Sequence, residues 1–243
     1  MKFSLRKVFK PVLVLIFSVL FALSPFLTDS FNGFDPNRYP IPQIDPPIQP
    51  IGWAFAIWGL IYLVLIIHST FGLVRHADDA KWDRGRWPLI LSLAVGTIWI
   101  PVANISPVWA TVLIWVMLIA VLWSLYASKN AQPYWIASWP VALYAGWLSA
   151  ASFVAIGLLL AGYGIMSEEG AAILCLLLAT IFAGINQIRL YFWTYGAAVC
   201  WAILGIAVAN AEDSQLLTGL SIGALIIIAG LAVFNSRIKA LTG

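Results

Sequence analysis

The feature that most constrains this chain is a series of long runs without a charged side chain. Residues 51–74, 87–105, 107–127, 135–161, 170–188, 190–210 and 215–235 contain no Asp, Glu, Lys or Arg, and residues 8–27 contain only Lys10. A helix crossing a bilayer needs about 20 predominantly apolar residues, so all eight runs can span. Inside hydrocarbon each backbone amide must be paired within the protein, and barrel strands would alternate polar and apolar residues, which these runs do not. The expected fold is all-α: a polytopic membrane helix bundle of about eight transmembrane helices. Composition agrees, with 62% apolar and 9% charged residues where soluble domains carry roughly 25% charged. A soluble globular enzyme, a disordered chain and a nucleic-acid binder are thereby excluded, and the partner implied first is the lipid bilayer.

Threading eight helices sorts the charges. Lys2, Arg6, Lys7, Lys10, Arg75, Lys81, Arg84, Arg86, Lys129, Arg189, Arg237 and Lys239 fall on one side, 12 of the 13 basic residues, with Arg38 alone opposite. The other side receives Asp29, Asp35, Asp45, Glu168, Glu169, Glu212 and Asp213. Basic loops stay on the cytoplasmic face, so the expectation is a multi-pass protein of the plasma (inner) membrane with both termini cytoplasmic. The basic start followed by residues 12–24 also has the form of a secretory signal. Pro25 directly after the small residue Ser24 disfavours cleavage there, and the first helix is expected to be retained.

Residues 28–50 form the one long connection, with prolines at 36, 40, 42, 46, 47 and 50. Those prolines forbid a helix or a central strand and favour extended geometry. The segment reads either as a stiff spacer or as a lid over a cavity. Of 13 tryptophans, 11 lie between Trp53 and Trp147. Trp82, Trp87 and Trp135 stand where helix ends meet the interface. Trp58, Trp99, Trp115 and Trp147 fall near mid-span, where an indole N–H needs an acceptor and several rings together suggest an aromatic-lined cavity. The chain divides by composition into a Trp-rich part, 1–165, and a Trp-poor three-helix part, 166–243. The latter carries Gly219 and Gly223 at the four-residue spacing that lets helices approach closely, within the chain or in a homo-oligomer.

Several stretches carry a family resemblance. Pro50-Ile-Gly52-Trp53-Ala-Phe55-Ala-Ile-Trp58-Gly-Leu-Ile-Tyr62 resembles the PPGWxFxxxWxxLY signature of tryptophan-rich sensory proteins, the translocator protein (TspO/MBR) family. Trp99-Ile-Pro101 is similar to the family's W-S-P element, and Tyr144-x-x-Trp147-x-x-x-x-Ser152 to its PYxxWxxFAT element. There are departures: the second Trp comes one residue early, Ile51 and Leu143 replace prolines, and Gly96 stands where an Asn is usual. The first loop also lacks the family's tryptophan, which puts a tetrapyrrole-degrading role in doubt. The resemblance covers about residues 8–161 and implies a five-helix core with a pocket under the first loop, extended here by three helices. It implies binding of a hydrophobic small molecule, porphyrin or haem among the candidates, and no resident cofactor. The residues it singles out for the ligand are Trp53, Phe55, Trp58, Tyr62, Trp99, Tyr144, Trp147 and Ser152.

Asn104 joins that set from its own position beside Pro101 and Pro107, where it either lines a polar mouth or caps a helix. Independent of the family, Tyr144, Trp147 and Ala151 recur at i, i+3 and i+7 and share one helix face. Membrane enzymes and proton-coupled carriers carry intramembrane acids, bases or metal ligands, and here His68 is the lone candidate, better suited to an internal hydrogen bond than to haem ligation. The charges at 78–86 read as a solvated face. The chain is therefore expected not to be an enzyme. It reads as a membrane protein binding a hydrophobic, tetrapyrrole-like ligand for sensing or transfer, with a permease for a small organic solute or lipid as the alternative.

Overall fold

The computed structural model describes residues 5–27 and 34–242, with side chains over 8–27 and 34–235. Lys2, Asp29 and the side chains of Arg6, Lys7, Arg237 and Lys239, all used above to orient the chain, lie outside that part. Among the described residues nine α-helices form: α1 (Leu5–Leu27), α2 (Ile57–Arg75), α3 (Ala80–Ala103), α4 (Pro107–Ser128), the single turn α5 (Tyr134–Ala137), α6 (Trp139–Gly162), α7 (Glu168–Leu190), α8 (Trp193–Ala209) and α9 (Gln215–Thr242). No strand occurs among the described residues. Seven helices are long and apolar enough to cross a membrane, and α8 is a shorter apolar helix. Its 17 residues reach about 26 Å at 1.5 Å per residue.

Three of the apolar runs break where local chemistry demands it. The run from 51 opens as a 3-10 turn, Gly52–Ala56, before α2 begins. The run from 135 interrupts at Ser138, and α6 starts afresh with Pro140 in its first turn, where a helix has no use for the missing N–H. The run from 190 loses its first residues to a left-handed cap: Tyr191, at φ 62°, ends α7 by donating its N–H to the Gln187 carbonyl.

The bundle is organised around α6, which packs against α2 and α4 on one side and against α7 and α8 on the other. α1 lies on α2 and α3, and α9 covers α7 and α8. One large apolar core runs through both compositional halves of the chain, and a small separate cluster forms around Trp82, Ala131, Ile136 and Ala137. The α6–α8 contact is set by Gly146: a Cβ there would overlap the carbonyl oxygen of Tyr195. By contrast, a Cβ on Gly219 or Gly223 would meet nothing within 4 Å among the described residues, so the two glycines are not where α9 packs on α7 and α8.

Residues 34–51 lie across the ends of α6, α7 and α8. Ile41 N–H donates to Gly162 O (2.9 Å) and Ile51 N–H to Gly205 O (3.1 Å). Asn210 Nδ2 reaches Pro47 O (2.8 Å), and Gln43 Nε2 reaches Glu168 Oε1 (3.4 Å). Tyr39 and Ile48 are buried against Gly162 and Gly157. Burial pushes the Tyr39 phenol well above its ordinary pKa, so it stays a neutral hydroxyl.

Candidate functional site

Beneath that loop, side chains from six elements enclose a cavity. The 3-10 turn supplies Phe55, α2 Trp58, α3 Trp99 and α6 Trp147, while Phe34 and Pro50 of the loop close it from above. The rings meet edge to face: Trp58 and Trp147 at 6.1 Å and 81°, Phe55 and Trp147 at 6.0 Å and 82°, Phe34 and Trp99 at 6.1 Å and 71°. Each such pair contributes about 0.5–1.5 kcal/mol beyond its area burial. The sequence sets this wall by periodicity, since Trp147 and Ala151 stand one turn apart on the face of α6 that looks at α2. Trp99 is fixed by its Nε1–H, which donates to Ala110 O (2.9 Å) across the α3–α4 contact.

Trp147 differs. It is 2% exposed, and its buried Nε1–H has no acceptor among the described residues. Buried polar groups are almost always paired, and this donor belongs to a residue of a largely apolar cavity wall. The cavity gives about 40 Å³ to the centre of a water molecule, whereas pockets for drug-sized ligands run to about 300–1,000 Å³. A macrocycle therefore requires the loop or the rings to move outward.

The residues singled out from sequence separate into three groups. Phe55, Trp58, Trp99 and Trp147 line the cavity together. Tyr62 and Tyr144 support it from one turn further in. Tyr62 stacks on Trp58 (5.5 Å, 20°), and Tyr144, fully buried, bonds Ser92 Oγ through its hydroxyl (3.0 Å). Ser92 in turn donates to Met117 O (2.8 Å), which leaves the Tyr144 phenol as donor. Phe21 of α1 seals this layer against Trp58, Tyr62 and Tyr144 at 5.0–5.8 Å.

Trp53, Asn104 and Ser152 stand outside the lining. Trp53 is 43% exposed and rests edge-on against Trp201 (5.0 Å). Asn104 caps the end of α3, its N–H bonded to Ile100 O (3.0 Å). Ser152 is fully buried, with its Oγ unpartnered among the described residues. Sequence reasoning missed Phe34, Gln49 and Pro50 of the loop, Ile114 of α4, Ala150, Val154, Ala155 and Leu158 of α6, and Ala202 of α8. Ala202 carries no signal of any kind, since it reaches the cavity only because α8 packs on α6. Trp115, grouped above with the mid-span rings, faces Phe153 (5.3 Å) and Phe182 (6.2 Å) in a separate aromatic contact.

The polar residues at the opposite end of the bundle are engaged with backbone. His68 Nδ1 lies 2.7 Å from Ile136 O. Trp82, expected at the lipid interface, is instead buried between the rings of His68 (5.1 Å, 17°) and His76 (4.8 Å, 8°). Arg86 is also buried rather than solvated. Its guanidinium donates to Ala77 O (2.8 Å), His76 O (2.6 Å) and Gly72 O (3.4 Å), tying the last turn of α2 to the two residues that follow it. Asp83 bridges Arg86 and Lys10 of α1. Among the described residues no three His, Cys, Asp or Glu side chains converge to hold a metal ion.

Comparison with known proteins adds one match. A family model described as TSPO-like protein aligns with residues 7–234. The alignment runs well past residue 161, where the sequence resemblance ends, and takes in α7, α8 and most of α9. No curated protein and no solved structure matches the chain.

Proposed function

The chain belongs to the TSPO-like family of polytopic membrane proteins, and from that footing we propose that it binds a hydrophobic, flat, tetrapyrrole-like ligand in the aromatic cavity, for sensing or transfer. The observation that carries the reading is the Trp147 Nε1–H, buried in the cavity wall without an acceptor. A porphyrin or haem offers both a π-face for edge-on tryptophans and oxygens for a donor. The family is generally non-enzymatic, and we assign no reaction to the cavity. Trp53 on the 3-10 turn, Asn104 at the end of α3 and Ser152 on α6 enter the proposed site as residues outside the lining.

Orientation follows the charge asymmetry: both termini cytoplasmic in the plasma membrane and the loop at 34–51 outside. A cysteine placed in that loop should be labelled from outside intact cells, and failure to label reverses the orientation. The open Gly219/Gly223 face of α9 is where a second copy would pack.

The test is a titration of nanodisc-embedded protein with protoporphyrin, followed by tryptophan quenching against a Trp147→Phe/Trp53→Phe double variant. Saturable quenching that weakens in the variant supports the cavity. Linear quenching indifferent to the substitutions means partitioning into lipid. The permease reading then comes first, to be checked by solute uptake that scales with protein copy number.

A further inference from the structure

A second hollow lies outside the cavity, on the lateral surface of the bundle. It is a groove of about 640 Å³ between α2 and α8 with α6 as its floor. Ala56 to Val64 form one wall, Ala197 and Trp201 the other, and Pro140 and Leu143 the base. The 3-10 turn separates the two hollows, with Phe55 in the cavity and Ala56 in the groove.

We propose that this groove is a binding site for an anionic phospholipid, one acyl chain lying between α2 and α8 and the headgroup at the α5 end. The wall chemistry selects hydrocarbon. Apart from the indoles of Trp135, Trp139, Trp193 and Trp201, Thr194 is the one polar side chain in the lining, and its hydroxyl already donates to Trp139 O (3.0 Å). The rest of the wall is apolar, and at membrane depth water is not available to fill it.

The two ends set the direction of the lipid. At the loop end Trp201 Nε1 donates to Ala54 O (2.8 Å) and Trp53 packs on the Trp201 ring, forming a roof. At the other end the half-exposed rings of Trp135 and Trp193 stand where amphipathic rings meet headgroups. Trp135 packs on Phe71 (5.9 Å), one turn before Arg75 at the end of α2.

Charge selects an anionic headgroup. Arg75, Lys129 and Arg189 lie at this end and are exposed. Its acids are Asp78, Asp79 and Asp83, of which Asp79 caps α3 and Asp83 pairs with Lys10 and Arg86, while Lys81 and Arg84 add two further exposed positive charges. The opposite end carries Glu168, Glu169, Glu212 and Asp213, which would repel such a headgroup.

The experiment uses the full chain in nanodiscs containing phosphatidylglycerol with a photoreactive diazirine in one acyl chain, and locates adducts by peptide mass spectrometry. Adducts at 135–143 and 193–201 should exceed those on the lipid-facing side of α9 several-fold. Unlabelled phosphatidylglycerol should compete and phosphatidylcholine should not. Ala197→Trp, which fills the groove, should remove the excess while α9 labelling stays constant, and Leu60→Trp at the mouth serves if that variant fails to fold. Uniform labelling of groove and α9, an excess that survives both substitutions, or crosslinks between protein copies in place of lipid would overturn the site. Equal competition by phosphatidylcholine would overturn the headgroup assignment. None of these outcomes depends on what the inner cavity binds.

Discussion

α6 and α9 are both long apolar helices rich in Gly, Ala and Ser, yet they use their glycines in opposite ways. In the most apolar stretch of α6, 72% of residues are buried, against 28% in α9. The small residues of α6 are contact points: Gly146 lies against the Tyr195 backbone, and Ser149 Oγ bonds Tyr195 Oη (2.8 Å). Those of α9 at 219, 223 and 230 face open space. Without a hydrophobic force between helices in lipid, close packing is what holds them together. A small residue therefore matters only where a partner backbone is present to use the room it leaves. Spacing along one helix does not reveal the partner.

The largest test of this contrast is Gly146→Ala. The added methyl overlaps a backbone carbonyl that cannot rotate away, so equilibrium unfolding in mixed micelles should show a loss of about 3 kcal/mol, the upper range for overpacking. A loss below about half that would mean α8 can slide along α6, contradicting the rigid contact. Trp147→Ala comes next and acts on binding: protoporphyrin affinity should fall by about 2 kcal/mol, as when a stacked aromatic is truncated. Unchanged affinity would place the ligand elsewhere.

Tyr144→Phe removes one buried hydroxyl while Ser92 keeps its bond to Met117 O, so stability should fall by about 0.6–1 kcal/mol. A rise in stability instead would show that the Ser92 contact is strained. Gly219→Ala with Gly223→Ala should shift monomer stability by less than about 0.5 kcal/mol. Light scattering before and after that change decides whether the α9 face holds a second copy. A dimer lost on substitution gives these glycines a partner outside the chain and narrows the contrast with α6.

Much of the fold was legible because charge is a one-dimensional signal in a membrane chain: a helix cannot carry Arg189 or Glu168 into hydrocarbon, so the charges punctuate the spans. The breaks at Gly52–Ala56, Ser138 and Tyr191 were not legible, since each depends on backbone geometry inside an apolar run. Within the site, Phe55, Trp58, Trp99 and Trp147 were found through aromatic residue type and the family elements. Ala202 and Trp115 show the limit. α4 and α8 are apolar around their whole circumference, so no stripe tells which side is inward, and Trp115 was grouped with a cavity it does not touch. Trp82 and Arg86 failed for the converse reason: charge and indole type suggested the surface, while the carbonyls at the end of α2 and the two histidine rings drew them inside.

The cover over the cavity is tied down by α6, α7 and α8, through Gly162, Glu168, Gly205 and Asn210. Most of the cavity wall comes from α2, α3 and α6, and α8 adds Ala202 alone. On the proposed reading, the aromatic wall and the fastening of its cover therefore belong to different parts of the chain. Substitutions in α7 or α8 that cut the cover's bonds would act on ligand exit without touching the aromatic wall.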